Sequence, residues 1–231
     1  ALPFVSMNDG FLDPFLESFH ETFGLPNYGK KWRPRDEFGY VLKKDGEAWF
    51  TAEPGGLHLV DSTLAAQFAL FGHKQTDHVT GSLVYKLKIP TGDADHGFGS
   101  GGFDHGLFFV SRFRLNPITI YANGGVMALS EPDTPGKVPY NATTYGMLLA
   151  GEYAWSNTVT LLAQINATTS PFKDEGIDPL DDYSVQLVLG VGYDLGSGLS
   201  MEVAFSEDLS DPAPDFTVST RFSWGIGQDG K

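Results

Sequence analysis

Residues 183–193 read Tyr-Ser-Val-Gln-Leu-Val-Leu-Gly-Val-Gly-Tyr. Every second residue from Tyr183 to Tyr193 is Tyr, Val or Leu, whereas the residues between them are mostly Ser, Gln and Gly. Alternation with a period of two is typical of a β-strand with one apolar face. The two tyrosines bracket that face and lie about 33 Å apart, at about 3.3 Å per residue. A tilt of about 40° reduces this length to a height of about 25 Å, the height of the apolar band on an outer-membrane β-barrel.

A second segment, residues 145–155, repeats the pattern at the same spacing, with Met147 and Leu149 between its aromatic ends. Aromatic rings at both edges of an apolar band form the girdles of such barrels. A soluble barrel or sandwich shows the same alternation with its apolar face inward. The second face here, however, holds small neutral residues rather than the Lys, Glu and Thr of a water-facing strand, which favours a membrane barrel. The predicted lipid-facing girdle residues are Tyr145, Trp155, Tyr183, Tyr193, Phe216 and Trp224.

The composition excludes several classes of protein. The 231 residues include no Cys, so a disulfide scaffold, a zinc-thiolate site and a thiol nucleophile are excluded. The formal net charge of -14 argues against nucleic acid as a partner. No apolar run approaches the ~20 residues of a membrane helix, so a bilayer could be crossed only by a closed barrel, in which every backbone group is paired.

The strand pattern predicts an all-β fold, an antiparallel up-and-down transmembrane β-barrel of about 10–12 strands, as a single domain over residues 1–231. Short and long connections alternate, which is typical of outer-membrane barrels. With the long loops extracellular, the C-terminus is expected in the periplasm. Residues 1–6 resemble a strand end, so we expect the full protein to have further N-terminal strands. The predicted strands are 59–72, 79–90, 105–115, 117–129, 143–155, 158–169, 182–194, 199–207 and 216–224.

Residues 7–57 are predicted to form a long outer excursion. Asp13-Pro14 favours the start of a helix over 14–23, with Asp as its cap, and this helix either packs on a barrel rim or acts as a plug or gate. Lys44-Asp45-Gly46 indicates a short hairpin between residues 38–43 and 47–52. The basic run 30–35 either meets lipopolysaccharide phosphates or balances neighbouring carboxylates.

Polar residues on the second face of the strands are predicted to line the lumen. Four basic residues on consecutive strands are expected to cluster there, either as a basic wall that favours anions in a pore or as part of an internal salt-bridge network. At least one of them is expected to pair with an inward carboxylate, Glu152 and Glu202 being the nearest in the pattern. Leu83, Leu87, Phe109, Leu187 and Leu189 are expected to face lipid. The predicted lumen-lining residues are Lys86, Lys88, Arg112, Arg114, Glu152, Gln164, Gln186, Glu202 and Arg221.

Other chemistry is weakly indicated. The acidic loops around Asp93, Asp178 and Asp211 are expected to be solvated rather than to hold Ca²⁺, because none has the spacing of an EF-hand. No Gly-x-Ser-x-Gly or His-Glu-x-x-His motif occurs. We therefore predict no metal, no cofactor and no enzymatic activity.

Five short motifs follow one another along the chain. They are Phe19 to Gly24, Lys88 to Asp93, Gly99-Ser100-Gly101 with Asp104, Gln164 before Ser170-Pro171-Phe172, and Ser206 to Leu209 with Pro214-Asp215-Phe216. In this order they resemble a bacterial family catalogued only as a domain of unknown function and regarded as outer-membrane β-barrels. The resemblance covers nearly the whole chain and implies a fold and a location but no reaction. Outer-membrane barrels usually end on an aromatic residue, whereas residues 225–231 follow Trp224 here.

Four functional hypotheses are considered at this point. The pattern favours a porin-like channel or transport component in contact with membrane lipid and lipopolysaccharide. A structural or partner-binding barrel of an envelope complex, with a protein partner at its outer loops or lumen, is the alternative. An outer-membrane enzyme and a soluble ligand-binding barrel are the less favoured hypotheses.

Overall fold

The computed structural model describes residues 2–24, 34–37, 39–44, 47–52, 55–74, 76–133, 140–173, 182–210 and 216–225. Within these ranges the chain forms one helix and thirteen strands. They are, in order, β1 (Phe4–Val5), α1 (Asp13–Phe23), β2 (Tyr40–Lys44), β3 (Glu47–Ala52), β4 (His58–Leu59), β5 (Ser62–Phe71), β6 (Val79–Ile89), β7 (Asp104–Leu115), β8 (Ile118–Ala128), β9 (Thr143–Ala154), β10 (Val159–Thr168), β11 (Ser184–Gly196), β12 (Leu199–Asp208) and β13 (Phe216–Trp224).

Strands β5 to β13 form a single antiparallel meander in which each strand pairs with the next along the chain. The expected short and long connections are confirmed. Residues 116–117, 155–158 and 197–198 join strands at one end of the sheet, which we call the short-turn end. Residues 90–103, 129–142 and 169–183 join them at the other, the long-loop end.

All nine strands predicted for this region are present, and the first differs most from its prediction. Strand β4 ends at Leu59 and β5 begins at Ser62, so Asp61 interrupts the predicted continuous strand. The Asp61 side chain accepts hydrogen bonds from the backbone N–H groups of Gly92 (3.1 Å) and Ser100 (3.0 Å). Both donors belong to the β6–β7 loop, so Asp61 binds that loop.

Closure into a barrel is not observed. The sheet has β5 at one edge and β13 at the other, and the described residues contain no ladder between them. The antiparallel meander predicted from the sequence is therefore confirmed, whereas the closed barrel of 10–12 strands is not.

The helix and the hairpin predicted before the sheet are both present. Helix α1 ends at Gly24, whose left-handed backbone (φ 69°) allows its N–H to bond to the carbonyl of His20. The predicted capping role of Asp13 is wrong, because the cap is Leu12 and provides no side-chain bond. The Asp13 carboxylate instead accepts a 2.7 Å hydrogen bond from the backbone of Asp36. Strands β2 and β3 pair as the predicted hairpin.

The chain divides into two compact units, which are described separately below. Unit 1 comprises residues 1–65, 86–105 and 128–142. Unit 2 comprises residues 66–85, 106–127 and 143–231. Unit 1 contains α1, the strand pairs β1–β4 and β2–β3, and the β6–β7 loop, while unit 2 contains most of the meander.

Side-chain exposure alternates along β9. In β9 the aromatic and aliphatic residues at odd positions are the exposed ones, with Met147 64% and Leu149 54% exposed. The residues between them, Gly146, Leu148 and Ala150, are less exposed. Among the described residues, the buried apolar side chains are Phe98 and Ala204, whereas Ser82, Asp104 and Ser111 are buried polar ones.

Candidate functional site

One face of strands β9–β13 in unit 2 carries five of the residues predicted to line a lumen. Residues directly opposite each other on neighbouring strands share a face. The register pairs Leu162 with both Glu152 and Gly190, and Glu202 with both Gly192 and Arg221. Together with the alternation along each strand, it places one set of residues on a common face, which we call the polar face. They are Glu152, Gln164, Gln186, Glu202 and Arg221.

Polar groups on this face bond to one another. Arg221 donates to Glu202 at 2.5 Å, although its side chain is largely exposed. Gln164 donates to Asn166 at 2.8 Å on the same strand. The polar groups of this face are therefore partly paired with one another.

Tyr121 on β8 is a participant that the sequence analysis missed. Its hydroxyl donates a 2.9 Å hydrogen bond to Glu152 on β9. The guanidinium groups of Arg112 and Arg114 are close enough to interact electrostatically with the Tyr121 phenol. The alternation Thr119-x-Tyr121-x-Asn123 was the signal that places Tyr121 with the polar residues of its strand.

A second polar centre lies in unit 1, around the side chain of Lys88. The Lys88 ammonium contacts Asp104 at 2.6 Å and Asp61 at 3.1 Å, and it also donates to the Ser100 hydroxyl. Asp104 accepts further bonds from the backbone N–H (2.9 Å) and hydroxyl (3.1 Å) of Ser130. We call Asp61, Lys88, Ser100, Asp104 and Ser130 the Lys88 cluster.

The Lys88 cluster is largely shielded from water, since the side chains of Lys88, Asp61 and Asp104 are only 18%, 10% and 8% exposed. Burial alone would raise the pKa of Asp61. The backbone N–H groups of Ser100 and Gly92, together with the Lys88 ammonium, instead hold the pKa of that carboxyl below its ordinary value. Asp61 is thus a stably ionised partner for Lys88.

The loop between β6 and β7 can reach this cluster because two of its positions, 92 and 99, are glycine and leave room for a close approach. A Cβ on Gly92 would lie 1.9 Å from the carbonyl oxygen of Phe98, and one on Gly99 would lie 2.4 Å from Asp61. Phe98 is buried, and its ring stacks on the His58 imidazole with centroids 3.8 Å apart. Segments 88–93 and 99–104, which carry two of the resemblance motifs, therefore meet through direct contacts.

The contacts of three of the four basic residues expected to cluster can be described. Lys88 bonds within unit 1, whereas Arg112 and Arg114 belong to unit 2 and lie near Tyr121. The shared basic wall stays a prediction. The expected pairing with a carboxylate is confirmed for Lys88, but its partners are Asp61 and Asp104 rather than Glu152 or Glu202.

The acidic end of β12 is also buried. Glu207 and Asp208 are each 5% exposed. Just beyond them, Ser210 accepts a 2.7 Å bond from the backbone of Val185 and donates to the carbonyl of Tyr183 at 3.0 Å. These bonds fix the long-loop end of β11 against that of β12.

The predicted girdle residues lie at the two ends of their strands. Tyr145, Tyr183 and Phe216 mark the long-loop end, and Trp155 and Trp224 the short-turn end. Five of the six are exposed; Phe216 is the exception and packs on Phe205 with ring centroids 5.4 Å apart. The five residues expected to face lipid differ in their exposure. Phe109 and Leu189 are exposed, whereas Leu83, Leu87 and Leu187 are half-buried.

Within the described ranges, no group of three or more His, Asp or Glu side chains is arranged to hold a metal ion. Asp178 and Asp211, from the acidic loops, and residues 30–33 of the basic run lie outside the described residues. Arg35, the last residue of that run, pairs with Glu17 of α1 at 2.5 Å. The part of the chain that the structure describes holds no helix long and apolar enough to cross a membrane.

Comparison with known proteins adds a family. No curated protein matches the chain. Residues 1–226 match the family described as "Protein of unknown function (DUF3187)". The resemblance to a family without an assigned reaction is thereby confirmed, whereas the match carries no outer-membrane assignment. Since the match covers nearly the whole sequence, the chain belongs to the DUF3187 family.

Proposed function

We propose that this chain forms part of an outer-membrane β-barrel that acts as a porin-like channel or transport component. The observation that carries the proposal is the exposed apolar face of the meander. A soluble monomer rarely exposes a large contiguous apolar patch, whereas lipid-facing strands require one. The exposed apolar residues of β7, β9 and β10 are Leu107, Phe109, Phe113, Leu115, Tyr145, Met147, Leu149, Tyr153, Leu161 and Ile165.

The register supports the same proposal, because the apolar residues are neighbours across the strands. Ile165 of β10 pairs with Leu149 of β9 and with Leu187 of β11. Leu161 pairs with Tyr153 and Val191 in the same way. The apolar face is thus continuous over three strands, with a polar face behind it.

Barrel closure is part of the proposal, since an open edge in lipid leaves backbone groups unpaired. Strands β5 and β13 are separated by an even number of steps in the meander, so they run in the same direction. An antiparallel closure therefore needs an odd number of further strands between them. One or three such strands give the 10 or 12 expected from the sequence.

The proposed orientation places the long loops outside the cell, where they contact lipopolysaccharide, and the short turns in the periplasm. The Lys88 cluster then lies at the extracellular end of β6, where its bonds hold the 90–103 loop. Reconstitution of the full-length protein into planar bilayers tests the channel. We expect discrete conductance steps, and a folded, inserted protein without conductance would contradict the channel.

A second candidate function, a partner-binding barrel of an envelope complex, is favoured by the aromatic residues of the N-terminal excursion. Phe11, Phe15 and Phe23 are exposed in or beside α1. Exposed aromatic rings are typical anchors of protein interfaces. Replacing Phe15 by Ser should abolish co-purification of an envelope partner while leaving conductance unchanged. Co-purification that survives the Phe15 substitution would argue against this candidate.

A further inference from the structure

A cavity of about 440 Å³ lies in unit 2, on strands β5–β8 near their short-turn end. This volume is within the range of small-molecule sites. Most of its lining residues carry a polar group on the side chain, Gly72 and Val110 being the exceptions. The lining residues are Gln67, Gly72, His73, Lys74, Thr80, Ser82, Val110, Ser111, Arg112, Tyr121 and Asn123.

The charge of this cavity is opposite to that of the chain. The sequence has 29 Asp and Glu against 15 Lys and Arg, yet the lining contains Arg112 and Lys74 and no carboxylate. The two nearby carboxylates are already engaged. Glu152 accepts from the Tyr121 hydroxyl at 2.9 Å, and Asp77 accepts from the backbone of Lys74 at 3.0 Å.

Among the residues that line the cavity, Arg112 has a shielded side-chain donor. Its side chain is half-buried, and its Nε atom is shielded from water with no hydrogen-bond partner among the described residues. Arg221 provides a contrast within the same unit, because it lines a cavity of about 430 Å³ and is paired with Glu202 at 2.5 Å. A guanidinium N–H that is shielded from water and has no partner leaves a strong donor unused, which is costly.

We infer that the cavity binds a small oxyanion, a phosphate or carboxylate group, through the guanidinium of Arg112. The planar fork of arginine matches two oxygens of such a group. Ser82 and Thr80 supply hydroxyl donors, and Asn123, whose side-chain oxygen already accepts from the backbone of Ser111 at 3.1 Å, retains its NH₂ group as a donor. Within the proposed channel, this site defines the class of solute.

The test is calorimetric titration of the detergent-solubilised full-length protein, with inorganic phosphate in one arm and acetate in the other. We expect at least one of the two anions to bind, and Arg112→Gln to weaken its binding by about tenfold or more. Arg112→Lys should bind with intermediate affinity, because it keeps the charge and loses the fork. The matched control, Arg221→Gln, should change the dissociation constant by less than about twofold, since Arg221 is outside the cavity.

The inference would be overturned if neither anion binds the wild-type protein at concentrations up to about 10 mM. Equal affinities of the wild type and Arg112→Gln would overturn it as well. Should Arg112→Gln fail to fold, as judged by its strand circular dichroism, Lys74→Gln on the exposed connection takes its place and should weaken binding. The titration uses no bilayer and is therefore independent of the conductance experiment. A protein that binds the anion but shows no conductance would contradict the proposed channel and support this binding site.

Discussion

The ammonium of Lys88 lies 2.6 Å from the carboxylate of Asp104, and both side chains are largely buried. Asp61 joins the same ammonium at 3.1 Å, so one cation offsets two carboxylates. Removing one member of a buried ion pair costs more than the pair contributes, because it leaves uncompensated charge behind.

Replacing Lys88 by Met should therefore lower the free energy of unfolding by about 3 kcal/mol. The measurement is urea unfolding of the protein in detergent micelles, followed by tryptophan fluorescence. Lys43→Met is the matched control, because Lys43 is exposed in the same unit, and its effect should stay within about 0.5 kcal/mol. A Lys88 variant as stable as the wild type would show that the cluster adds little to the fold.

Acid should loosen the loop held by Asp61. The pKa of Asp61 is lower in the folded protein than its ordinary value of 3.8. A carboxyl group shifted in this direction contributes stability that is complete above its unfolded pKa and is lost as the pH falls through its folded pKa. Hydrogen exchange of residues 90–104, corrected for intrinsic rates, should therefore accelerate below about pH 4. Asp61→Asn should show a smaller acceleration, and a wild-type loop whose protection is independent of pH would contradict this role.

A side chain at Gly92 should displace the β6–β7 loop, because a Cβ there would lie 1.9 Å from the backbone oxygen of Phe98. Gly92→Ala should cost about 2 kcal/mol of the free energy of unfolding. Gly151→Ala is the control, since nothing lies within 4 Å of the position of its Cβ. The same urea titration compares the two variants, and equal stabilities would mean that the loop adapts without cost.

A charge on the apolar face separates the membrane hypothesis from a soluble fold. Leu149 lies near the middle of β9 and is 54% exposed. In lipid, Leu149→Arg should destabilise the folded protein by about 2–4 kcal/mol, whereas on a soluble surface its effect should stay within about 0.5 kcal/mol. The folded fraction in lipid vesicles is the measurement. Leu57→Arg, at a more exposed leucine outside the meander, should be neutral in both cases.

Period-two alternation was sufficient to predict the nine strands of the meander, because each strand separates apolar from polar residues. The Lys88 cluster could not be predicted in the same way. Asp61, Lys88 and Asp104 meet through a loop whose path depends on the space at Gly92 and Gly99. No local pattern encodes that path.

The contacts of a single basic residue cannot be predicted from strand adjacency alone. Lys88 lies near the last residue of β6, where it bonds to Asp61 and Asp104 rather than to a carboxylate of the alternating pattern. Tyr121 was overlooked because an aromatic residue in a strand is usually assigned to the apolar face.

Contact between lipid and the odd-numbered face of β9 can be tested directly because the chain contains no cysteine. Single cysteines at positions 147 to 150, labelled with a fluorophore, can be reconstituted into vesicles with brominated acyl chains. We predict strong quenching for Met147→Cys and Leu149→Cys and weak quenching for Leu148→Cys and Ala150→Cys. Quenching without this alternation, or labelled protein that remains in the aqueous phase, would contradict the claim.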